Sequence, residues 1–168
     1  MHMKRSGYTL MEVMIVIAII GMILTTLTPK IKTIRDGSNL RAGKDAIATA
    51  LGTARAAAIQ KGATATFHLG ADSTIMVDAV SNGATIPVMP KRSLGTLYSV
   101  GVTIFSKPAT GTTYTASPGD TVIKFDLRGF GVTSSDKQVL YLVKLGTKTD
   151  SICVTRNGLI LKKGCFTQ

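Results

Sequence analysis

Few side chains in this sequence are placed where they could do chemistry, and the first is Glu12, a carboxylate inside the apolar run "YTLMEVMIVIAIIGMIL". A charge near the middle of a membrane helix costs about 2.5–3.5 kcal/mol on insertion scales, less near the interface, so an acid here calls for a partner. His68 is the second, but the only other histidine is His2, and one imidazole in the body of the chain gives no Ser-His-Asp spacing. "GADST" and the other Gly-bearing loops lack a phosphate-cradling pattern. The remaining acids are all Asp and sit mostly among Gly, Ser and Thr, as turn residues do. No constellation converges on a reaction, so the chain is expected not to be an enzyme and to use no metal, cofactor or small-molecule substrate.

Two cysteines occur, Cys153 and Cys165, with no histidine or third thiol near them. An even pair in an exported chain reads as a disulfide, closing a short loop for about 3 kcal/mol by loop entropy. In a cytosolic chain the same pair reads as two free thiols.

The elements that must position Glu12 begin at the N-terminus. From Tyr8 to Thr28 the chain is apolar apart from Glu12 and a few hydroxyls, with Lys4 and Arg5 before it and Lys30, Lys32 and Arg35 after it. A helix of this length spans about 31 Å, which matches a bilayer core. Three readings compete: a cleaved secretory signal, a plain membrane anchor and a specialised export signal. "TTLTPKIK" offers no A-x-A cleavage site for the first, and the second leaves Glu12 unexplained. Gly21 and Pro29 weaken the helix, by roughly 1 and ~3 kcal/mol, so the stretch between them is where it should kink or melt.

"KRSGYTLMEVMIVIAIIGMIL" resembles the signature of type IV prepilins and type II secretion pseudopilins. In that family a basic leader ends in Gly, the next residue is usually Phe, and Glu stands fifth from the new N-terminus. The resemblance implies cleavage between Gly7 and Tyr8 by a prepilin peptidase, N-methylation of the Tyr8 amine, and Glu12 as the assembly residue that meets a neighbouring subunit's amine. Tyr8 replaces the usual Phe and keeps the ring. Loss of helix between Gly21 and Pro29 is likewise what the resemblance implies for packed subunits.

After Pro29 helical periodicity returns, with Ile31, Ile34, Leu40, Ile47, Leu51, Ala54, Ala58 and Ile59 near one stripe. Asp36-Gly37-Ser38-Asn39 is a candidate break, and Lys61-Gly62 closes the helix. Strands are expected at 63–69, 73–80, 96–105, 121–127, 137–145 and 151–162, with Asn157-Gly158 as a type I′ hairpin turn flanked by Cys153 and Cys165. The organisation expected is a leader (1–7), a transmembrane and assembly helix (8–29), an amphipathic helix (30–62) and a β-rich head (63–168). The fold class is α+β, a long N-terminal helix packed on an antiparallel sheet.

That plan is pilin-like, and "ATALGTARAAAIQKGATATFHL" is similar to the GspH/FimT-like group of pseudopilins and minor pilins. "FDLRG" (125–129) and "VTRNG" (154–158) match that group's later F-x-x-x-G and V-x-x-x-G. The resemblance implies a minor pilin or pseudopilin of a type IV pilus or type II secretion system. Its partners would be the peptidase, other subunits and the inner membrane, with a periplasmic head that joins a periplasmic or extracellular filament.

Charge raises an alternative. Twenty Lys and Arg face nine acids, and without Lys4 and Arg5 the excess is still +9. Such an excess suits phosphate, so a DNA-binding minor pilin is the second expectation, with Lys124, Arg128, Arg156, Lys162 and Lys163 as candidate contacts. Some FimT-like minor pilins bind DNA during transformation through a C-terminal G-R-x-R-type motif. Here the corresponding stretch reads "NGLILKKG", without the arginines. A solvated basic surface, or one facing acidic subunits or anionic lipid, is the competing reading.

Overall fold

One helix, α1 (Leu10–Lys61), accounts for 52 residues in the computed structural model. The structure describes residues 8–70, 72–107, 113–116, 121–133, 138–155 and 157–162, without the side chains of 26–30, 121, 132 and 133. The chain divides into two compact units, Met1–Asp36 and Gly37–Gln168, each contributing part of α1. Helix continues through Gly21, Pro29 and residues 36–39, where the sequence predicts a kink and a break. In a single chain, propagating an existing helix adds a hydrogen bond per residue, whereas restarting one requires a new and costly nucleus. The end falls where expected, with Lys61 in the last turn and Gly62 at φ +57.

In the second unit the expected stripe of α1 is buried at Leu40, Ile47, Leu51, Ala54 and Ala58, and Ala50 and Ala57 widen it. Ile31, Ile34 and Ile59 of the same stripe are exposed. The first two precede the second unit, and every buried hydrophobic side chain described lies at Leu40 or beyond. The core is therefore assembled without any described side chain of the first unit.

Two antiparallel sheets of five strands complete this unit. One holds β1 (Ala65–Leu69), β2 (Thr74–Ser81), β3 (Ala84–Ser93), β6 (Thr121–Phe125) and β7 (Gly131–Thr133) in the order β3-β2-β1-β6-β7. The other holds β4 (Gly101–Lys107), β5 (Thr115–Ala116), β8 (Gln138–Leu145), β9 (Lys148–Val154) and β10 (Ile160–Leu161) in the order β10-β9-β8-β4-β5. Period-2 alternation buries Ala65, Phe67 and Leu69 of β1 and Val139, Tyr141 and Val143 of β8, and these join the α1 stripe in one core. Phe67 and Tyr141 tie the sheets together edge to face, ring centroids 6.0 Å apart at 79°.

Three departures from the sequence expectation have local causes. β3 was hidden by Pro87 and Pro90, which a strand tolerates at a sheet edge, where β3 lies. Residues 94–98 form a short helix, α2 (Leu94–Tyr98), because the Ser93 hydroxyl accepts the Thr96 N–H and caps it. Asn157-Gly158 does lie between paired strands, with Ile160 opposite Val154. However, only Gly158 has positive φ, and the loop closes through the Thr155 N–H to Leu159 carbonyl bond, so the turn is not type I′.

Tyr141 is fully buried, its hydroxyl has no hydrogen-bond partner among the described residues, and burial drives its pKa far above the ordinary phenol range. Its desolvation is unrecovered, so Tyr141→Phe is expected to stabilise the fold by about 1 kcal/mol. A melting temperature raised by several degrees in a thermal denaturation would show it.

Candidate assembly and processing site

Tyr8 is exposed and lies just ahead of the helix, and Gly7 lies outside the described residues. Thr9 caps α1: its carbonyl and hydroxyl oxygens accept the Glu12 N–H at 3.1 and 3.3 Å. Thr9-Leu10-Met11-Glu12 is thus a Thr-x-x-Glu capping pattern, a signal for this helix start that the sequence carries. Glu12 occupies the first turn, where the helix macrodipole favours a negative charge. The same dipole disfavours a positive amine at Tyr8, so a mature N-terminus would sit beside a helix end that repels it.

From Val13 to Leu24 the helix is apolar all round. No large hydrophobic side chain between Leu10 and Leu24 is less than 48% exposed. A helix apolar on every face needs either lipid or other helices around it. Among the described residues no helix is long and apolar enough to cross a membrane. A Cβ at Gly21 would meet nothing within 4 Å, so packing within this chain does not demand glycine there.

Three of the five candidate DNA contacts lie among the described residues of the second unit. Lys124 lies exposed on β6, level with Thr66 of β1, and Arg128 is exposed in the turn after it. Lys162 follows β10 of the other sheet, where its ammonium pairs with Asp45 at 2.9 Å. Arg156 and Lys163 lie outside the described residues. Lys44 is also occupied, pairing with Asp150 and donating to the Lys162 carbonyl. Cys153 is buried in β9 and disulfide-bonded, and Cys165 lies outside the described residues.

"FDLRG" and "VTRNG" build two turns of one design. Asp126 N–H reaches the Phe130 carbonyl and Gly129 N–H the Asp126 carbonyl; Thr155 N–H reaches the Leu159 carbonyl and Gly158 N–H the Thr155 carbonyl. In each a side-chain oxygen also accepts across the turn, Asp126 Oδ1 from Phe130 N–H and Thr155 Oγ1 from Leu159 N–H. Both glycines are left-handed, at φ +78 and +73. The turns meet: a Cβ on Gly158 would overlap the Gly131 nitrogen, and one on Gly129 would stand 2.8 Å from Ile59 Cδ1. Sequence alone shows the two glycines but not that their turns are neighbours.

His68 lies on β1 with Nε2 3.4 Å from Asp78 Oδ2 of β2, beside a shallow hollow that includes Asp72, Thr74, Met76 and Lys91. Thr74 Oγ1 donates to Asp72 at 2.6 Å and, with help from Lys91, holds that carboxyl below the usual range against partial desolvation. A depressed carboxylate pKa contributes stability above the unfolded value that is lost as pH falls through the folded one. Thr74→Val is expected to move the Asp72 titration back up toward an ordinary aspartate, read by NMR. Among the described residues no group of three metal-binding side chains occurs.

Residues 2–28 match the family model described as the prokaryotic N-terminal methylation motif. Among solved structures, the chain is similar to the type IV minor pilin FimU of Pseudomonas aeruginosa, at 14% identity and a TM-score of 0.49, covering 77% of this chain and 92% of that one. No curated protein matches the chain.

Proposed function

We propose that this chain, a type IV pilin-like protein by its N-terminal methylation motif and its plan of long helix and antiparallel head, is a minor pilin or pseudopilin. The observation that carries the reading is Glu12 in the first turn of a helix with exposed apolar side chains on every face, five residues after Gly7. Prepilin peptidase cuts between Gly7 and Tyr8 and methylates the new amine. The helix sits in the inner membrane with the head in the periplasm, then passes into a filament among its neighbours. There Glu12 meets the amine of an adjacent subunit, which relieves a buried carboxylate and an amine that its own helix dipole repels.

Mass spectrometry of the mature chain tests the reading. A methylated N-terminus at Tyr8 is expected, and an intact Met1 or a cut at any other bond overturns it. Cys153 pairs with Cys165, the one other cysteine in the sequence. Non-reducing peptide mapping is expected to recover the two in a single linked species, and separate alkylated peptides would refute the pairing.

A second reading, DNA uptake, draws on the exposed Lys124 and Arg128 and the excess of positive charge. A gel shift repeated across salt decides it: phosphate contacts weaken steeply as salt rises, and no shift at micromolar protein removes the reading.

A further inference from the structure

The two matching turns carry an apolar cluster that the core leaves out. Leu127 and Phe130 belong to the first turn and Leu159 to the second, and Ile59 of α1 lies against Gly129. These four side chains are 57%, 51%, 53% and 52% exposed. The close approach of the Gly131 and Gly158 backbones places Phe130 and Leu159 on adjoining turns. Arg55 and Arg128 border it, the former with its guanidinium next to Gly129. Among the described residues neither engages in an ion pair.

We infer that this cluster is the docking surface for an acidic head of a different subunit in the filament. The inference rests on the pilin reading given above. Charge complementarity selects the occupant. Fifteen cations and seven acids fall at or after Gly37, a net of +8, so a second copy would bring like charge against like. Of the five carboxylates described in this unit, Asp45 is paired with Lys162, Asp150 with Lys44, and Asp78 lies beside His68, while Asp72 and Asp126 accept from neutral donors. One ring among three aliphatic side chains is also no stacking platform for bases, whereas an aromatic ring bordered by arginines has the composition enriched at protein–protein interfaces.

The test compares full-length chains, expressed in their own cells, for recovery in sheared filaments. Phe130→Asp combined with Leu159→Asp is expected to lower recovery by about tenfold or more. Arg55→Glu with Arg128→Glu is expected to do the same, and Arg55→Lys with Arg128→Lys to retain most of it. Arg128 holds its turn through its backbone N–H, so the charge reversals leave the fold intact, checked by an unchanged thermal melt. Recovery of both exposed-surface variants at the wild-type level overturns the inference and leaves the pilin reading standing. Absence of the wild-type chain from filaments removes both. Normal recovery of the charge-reversal variant together with loss of its salt-sensitive DNA binding would assign the surface to nucleic acid instead, which also overturns the inference.

Discussion

Gly158→Ala is expected to lower the melting temperature of the head by about 10 °C or more, or to prevent its folding. Two costs combine. At φ +73 a side chain meets its own carbonyl, for about 1–2 kcal/mol. The new methyl would also overlap the Gly131 nitrogen and lie 2.8 Å from its Cα, backbone atoms that cannot swing aside, and such overpacking adds about 1–3 kcal/mol. Against a typical total of about 5–15 kcal/mol the sum is a large share. Gly62→Ala separates the terms, since Gly62 has φ +57 but nothing within 4 Å of a Cβ, so it should lose only the first. Equal melts for the two variants would show that the seam between the turns yields easily.

Glu12→Ala is expected to leave cleavage before Tyr8 intact and to reduce recovery in sheared filaments by about a hundredfold or more. Removing one partner of a buried ion pair costs about 3–5 kcal/mol because the other charge is left uncompensated. If Glu12 served only the helix end, its loss would cost about 0.3–1 kcal/mol and filaments would contain the variant at nearly normal levels. Glu12→Gln sharpens the contrast, because the amide keeps the size and loses the charge. Thr9→Ala, which removes the capping hydroxyl, should cost only about 1 kcal/mol and leave recovery close to wild type.

The α+β plan, the helix end at Lys61-Gly62, the core stripe of α1 and the approximate positions of most strands were legible because each has a local period or a local stop signal. β3 was not, since its prolines argue against a strand unless its place at the sheet edge is known. Thr96, Leu97 and Tyr98 of α2 read as strand until Ser93 is seen to cap the helix. Gly21 and Pro29 pointed to a break because propensities are additive along a sequence, whereas a long helix resists interruption cooperatively. The glycines of "FDLRG" and "VTRNG" stood out in the sequence, yet their shared purpose is a contact between chain segments more than twenty residues apart. No periodicity encodes such a contact.

That no described side chain before Leu40 is buried in the core has a practical consequence. If residues 8–36 serve membrane and neighbouring subunits, as proposed above, thermal denaturation of the head is expected to be blind to defects in them. A variant of the apolar helix can melt like wild type and still be lost to the filament. Mutational scans scored by abundance or stability would therefore class Glu12 as tolerant, and a screen of recovery in filaments would rank it among the least tolerant positions.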